Sequence, residues 1–153
     1  MMKQFMTIAA ATVLSASLIG CSAPAQNAKD AKNGYKQQRV VYHVNNLNTA
    51  FGALRNVKNH VNAVGAENAE IIVVTHSSGG LALVDGTADA KGNRFEESIQ
   101  ALANQGVKFQ LCSNTIRGLK IDKDKINLNA EVVPSGVAHV AHLQQQGYLY
   151  VKP

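Results

Sequence analysis

The chain has 153 residues, 46% of them apolar and 16% charged, with a formal net charge of +5 and two cysteines. That length allows one ordinary hydrophobic core, and two cysteines exclude a disulfide-stapled scaffold. Most of the positive charge sits near the amino end: residues 22–39 carry a net three units and Lys3 one, whereas residues 40–153 balance ten basic against nine acidic side chains. With no basic face and only 5% aromatic residues, no nucleic-acid partner is expected.

Met1-Met2-Lys3-Gln4 is a short positive start, and residues 5–19 form an uncharged, mostly apolar run. Fifteen residues are too few for an ordinary membrane span and suit a signal segment. The run ends in Leu18-Ile19-Gly20-Cys21, which resembles the bacterial lipobox, so Cys21 is the expected lipidation site once residues 1–20 are removed. Ser22 after the cysteine implies the outer membrane, reached from the periplasm. Residues 21–38 are rich in Ala, Lys, Asn and Gln without apolar periodicity, and read as a lipidated, flexible tether.

Residues 39–153 read as one α/β domain. A β-branched strand spans 39–45 and contains His43, which reads as a satisfied sheet residue. Asn46 is placed to cap a helix whose stripe is Leu47, Phe51, Leu54, Val57, Val61 and Val64, with Gly65 at its end. Ile71-Ile72-Val73-Val74 suits a central parallel strand. Ser77-Ser78-Gly79-Gly80 follows His76 and has backbone N–H groups able to meet an anion. It matches neither a P-loop nor a nucleophile elbow, and no dinucleotide fingerprint is present. Asn93 and Glu96 are spaced as a capping box before a second helix marked by Phe95, Ile99 and Leu102.

Val107, Phe109 and Leu111 alternate with Lys108 and Gln110, the period of a strand with one apolar face. Cys112 falls at its carboxyl end, and Ser113-Asn114-Thr115 open a short helix beside it. A thiol there meets backbone N–H groups, with Arg117 one turn on, and both favour the thiolate. His76 ends the preceding strand on the same sheet edge and is a candidate for positioning or proton transfer. A short strand at 130–133, a helix opened by Pro134 and Ser135, and the strand Tyr148-Leu149-Tyr150-Val151 complete the domain. His139 and His142 are three apart on that helix with no acidic or Cys ligand nearby in sequence; no metal site is expected. No cofactor is indicated.

Val107 to Arg117 with Ile121-Asp122, then Val132-Val133-Pro134-Ser135-Gly136-Val137 and Gly147-Tyr148-Leu149-Tyr150-Val151-Lys152-Pro153, resemble the DsrE/DsrF-like family of small sulfur-relay proteins. The resemblance implies a three-layer α/β/α fold around a mainly parallel five-stranded sheet. It also implies self-association as trimers or hexamers, and one cysteine, here Cys112, that carries sulfane sulfur as a persulfide. A sulfurtransferase or sulfur carrier is therefore the expected activity, with donor and acceptor unspecified. With Cys21 acylated, Cys112 is the remaining thiol, so no intramolecular disulfide can close over it. The competing expectation is an oligomeric binding or scaffold lipoprotein in which Cys112 is merely packed.

Overall fold

The computed structural model describes residues 32–153. The expected signal segment, Cys21 and most of the tether therefore lie outside the described residues. In chain order the elements are β1 (Gln38–Val44), α1 (Leu47–Val64), β2 (Ala69–Thr75), α2 (Glu96–Ala103), β3 (Lys108–Cys112), α3 (Ser113–Gly118), β4 (Ala130–Val133), α4 (Gly136–Gln145) and β5 (Leu149–Val151). A tight 3-10 segment, Ser77–Leu83, follows β2. Among the described residues no helix is long and apolar enough to cross a membrane.

The strands order as β4-β3-β2-β1-β5, and every pairing is parallel. This is the α/β architecture that the alternating pattern and the resemblance imply, with all five strands parallel. Handedness explains the layers. The chain moves outward from β1 through β2 and β3 to β4, so right-handed crossovers put α1, α2 and α3 on one face. The last crossover returns across the whole sheet to β5, and the same hand then requires α4 on the opposite face. The packing agrees. Val40, Tyr42, Ile71, Val73, Phe109 and Leu111 bury against the α1 and α2 stripes, with Ile116 of α3 in the same cluster. Val41, Ile72 and Val74 bury against Val140 and Leu143 of α4. β2 is covered on both faces, which is why its sequence is a continuous apolar run rather than an alternating one.

Local signals set most boundaries. The Asn46 side chain accepts from the Asn48 N–H at 2.9 Å and opens α1, and Gly65, at φ +90°, ends it. The second helix differs from the sequence reading. The Asn93–Glu96 capping box does not form, and α2 begins at Glu96. Asn93 instead donates its N–H to Asp89, and the Glu96 carboxylate accepts from Arg94 and from the Gly86 N–H. Glu96 thereby fastens the loop before α2 rather than the helix end.

At the amino edge of the sheet, Arg39 pairs with Glu70 at 2.8 Å, lies 4.2 Å over the Tyr148 ring and donates to the Gln146 carbonyl. The Tyr148 hydroxyl donates to Glu70. This cluster ties the end of α4 to β1 and β2. The ion pair is half exposed, so its own contribution is on the order of 0–1 kcal/mol.

Candidate functional site

The crossover geometry selects one place on this sheet. The chain leaves β3 toward the α1/α2 face through α3, and leaves β4 toward the opposite face through α4. Adjacent strands whose connections diverge open a crevice at their carboxyl ends, where open α/β sheets bind ligands. Cys112 is the last residue of β3, in register with Val133 of β4.

The thiol is 4% exposed and free. Burial pushes its pKa up, but the backbone N–H groups of Gly136, Thr115 and Asn114 and the Thr115 hydroxyl lie around the sulfur and push it down. Together they outweigh the burial and leave the thiol more acidic than an ordinary cysteine. The Thr115 hydroxyl also accepts from the Ser77 N–H at 2.9 Å, so the segment after β2 steadies the cradle. Cys112 shares an open depression of about 390 Å³ with His76, Ser77, Asn114, Leu119 and Val137, among others. Larger hollows exist, but those around His60 and around Ile126 contain no thiol.

Glycine at position 136 lets α4 come this close. A Cβ there would stand 3.1 Å from the His76 Cβ and 3.2 Å from the Cys112 Cβ. Gly136→Ala is expected to push the start of α4 outward and carry its N–H away from the sulfur. The thiolate titration, followed by its ultraviolet absorbance, should move to higher pH. Overpacking of this size should cost about 1–3 kcal/mol.

Residues 24–153 match the DsrE/DsrF-like family. The chain belongs to the DsrE/DsrF-like family. Among solved structures it is similar to a protein of unknown function, MTH1491, from Methanobacterium thermoautotrophicum, with 30% identity over 76% of this chain and 99% of that one and a TM-score of 0.67. It also shares a fold with the ychN protein from E. coli, at 16% identity, the same coverage and a TM-score of 0.64. No curated protein matches the sequence. DsrE/DsrF-like membership supports a fold of the sulfur-relay type.

Within this DsrE/DsrF-like chain, the described site residues expected from sequence fall in two depressions. Cys112, Asn114, Thr115 and His76 line one depression. Ser113 and Arg117 line the neighbouring one. The Arg117 guanidinium donates to Ser113 Oγ at 2.7 Å and to Asn114 Oδ1. These bonds tie it to the first turn of α3, while the largest influences that favour the thiolate are the Gly136, Thr115 and Asn114 N–H groups. The Ser77–Gly80 stretch does not stand open as an anion cradle. Its glycines are buried against β1 and against Leu111 and Thr115, and Ser78 Oγ accepts from the Leu47 N–H at 3.4 Å. His139 and His142 have ring centroids 5.9 Å apart, with His142 bonded to Gln146. Among the described residues no three potential metal ligands come together.

Two residues of the site escaped sequence reasoning. Gly136 supplies a donor from the main chain, which no side-chain pattern reveals. His43, read as a plain sheet residue, meets His76 with Nε2 atoms 2.5 Å apart. Both histidines sit near the carboxyl ends of adjacent parallel strands, which is the signal that joins them.

Proposed function

We propose that this protein is a membrane-tethered, periplasmic sulfur handler that accepts sulfane sulfur as a persulfide on Cys112 and passes it on. The carrying observation is the place of the thiol: Cys112 ends β3 in a depression at the carboxyl edge of the sheet, where the Gly136, Thr115 and Asn114 N–H groups and the Thr115 hydroxyl favour its anion. A cysteine that only fills space needs none of these donors. A persulfide is more acidic than its parent thiol, so the same donors also suit the loaded form. Membership of a family with a sulfur-relay fold supports the same reading. Exposing the reduced protein to glutathione persulfide should add about 32 Da, one sulfur atom, at Cys112, and a reductant should remove it. Absence of that gain under conditions where free cysteine is loaded would overturn the proposal.

The tether belongs to the proposal through Leu18-Ile19-Gly20-Cys21. Cys21 should be acylated at a new amino terminus, and more than one acyl chain makes anchoring stable. Cys21→Ser should leave the product unprocessed or released from membranes. A native product with an unmodified Cys21 would contradict this.

Self-association is the remaining part, and it overlaps with the scaffold reading. Leu119, Val132 and Val137 are about half exposed or more, and Leu119 and Val137 rim the Cys112 depression. An apolar rim of this kind suits a second copy, as in a trimer or hexamer, or a relay partner. Sedimentation should give a species heavier than one 16.3 kDa chain. A monomer at about tens of micromolar would contradict self-association.

A further inference from the structure

A second set of polar groups beside Cys112 is not used in holding the thiolate. The Tyr150 hydroxyl lies 2.8 Å from His43 Nδ1, His43 Nε2 lies 2.5 Å from His76 Nε2, and His76 Nδ1 lies 2.9 Å from Ser77 Oγ. The two imidazole centroids are 4.7 Å apart, longer than the N···N contact by about the reach of both rings, so they meet nitrogen-first rather than stacked. Every member can both donate and accept. One end, Ser77 with His76, lines the Cys112 depression, and the other end, Tyr150, is 43% exposed. The strand order β2-β1-β5 builds this chain, because it brings His76, His43 and Tyr150 from three successive strands to one edge.

We propose that Ser77, His76, His43 and Tyr150 form a proton relay that delivers a proton from solvent to the thiolate released when a low-molecular-weight persulfide loads Cys112. The proposal rests on the loading reaction above. In that reaction the Cys112 thiolate attacks the terminal sulfur of R–S–S–H. A new S–S bond forms at Cys112, the donor's S–S bond breaks, and its electron pair leaves on RS⁻. The products are Cys112–S–S–H and RS⁻, with no external oxidant, because the sulfane sulfur only changes partner. RS⁻ takes the Ser77 hydroxyl proton, and Ser77 takes the proton from His76 Nδ1. His76 Nε2 takes the proton from His43 Nε2, His43 Nδ1 takes it from Tyr150, and Tyr150 is reprotonated by water. The tautomers are now reversed. The acidic Cys112 persulfide then sends its own proton outward along the same bonds, which restores the start. The sum is Cys112–S⁻ plus RSSH giving Cys112–S–S⁻ plus RSH.

Such a relay needs neutral imidazoles. Burial, then the His76 ring and Lys152, hold His43 below the usual histidine range, and burial and Lys152 do the same for His76. The Cys112 thiol faces His76 across the same depression, and Ser77 and Tyr150 hold the two outer ring nitrogens.

The test is the rate of Cys112 loading in the full-length protein by glutathione persulfide across pH, read by quenched mass analysis. His43→Gln can still hydrogen-bond but cannot exchange one proton for another. It is expected to slow loading at saturating donor by roughly tenfold, the lower reach of a general acid contribution. The donor concentration for half-maximal rate and the Cys112 titration should stay unchanged, and added imidazole buffer should restore the rate. Tyr150→Phe, at an exposed position, should slow loading in the same way. A variant rate equal to the original, or a loss that imidazole does not rescue, overturns the relay while loading itself stands. If the original protein takes up no sulfur, the loading proposal fails first.

Discussion

Gly79→Ala is expected to be the most damaging small substitution in the domain. A Cβ at this position would fall 2.5 Å from the Val44 carbonyl oxygen and 2.7 Å from the Asn46 nitrogen. Both are backbone atoms at the β1–α1 junction, and neither can rotate away as a side chain would. Either the 3-10 segment lifts off the sheet or the end of β1 bends, and both moves open the packing around Leu83 and Leu111. The cost should be about 3 kcal/mol or more, the upper range for overpacking. For a domain of this size that lowers the melting temperature by roughly 10–15 °C. Thermal unfolding followed by circular dichroism would check it. A melting temperature within about 2 °C of the original would mean that the segment is looser than its contacts imply.

The second large effect is chemical. Cys112→Ser should abolish sulfur uptake, because a serine hydroxyl does not ionise near neutral pH and cannot attack a sulfane sulfur as its anion. The fold should survive. Serine is close in shape, and its oxygen can accept from the Thr115 and Gly136 N–H groups, so the stability change should stay within about 1 kcal/mol. Mass analysis after glutathione persulfide treatment and a thermal melt separate the two statements. A variant that neither loads nor folds would mark the thiol as a packing group and favour the scaffold reading.

The sequence made some of this legible for identifiable reasons. The alternation of Val107, Phe109 and Leu111 located β3 and put Cys112 at its end, and the turn-forming Ser113-Asn114-Thr115 gave the N–H groups beside it. Asn46 and Gly65 bounded α1 as their chemistry requires. Arg117 was less legible. In a helix of six residues its side chain reaches back three and four positions to Asn114 and Ser113, partners that no spacing rule singled out. The Asn93–Glu96 spacing was overridden because Asp89, Gly86 and Arg94 offered both residues partners outside the helix. His43 and Gly136 were hidden by distance in sequence. Only the strand order brings residues 43, 76 and 150 together, and only the return of α4 across the second face brings the Gly136 N–H to the sulfur.

The central claim is that Cys112 is a reactive thiolate held by backbone donors rather than an inert buried side chain. Its most direct measurement is the rate of Cys112 alkylation by iodoacetamide in the native protein across pH, compared with the unfolded chain. The account predicts that the native thiol is labelled, with a single titration whose midpoint lies below that of the unfolded chain. A native protein that resists the reagent, or that titrates at or above the unfolded midpoint, would contradict it.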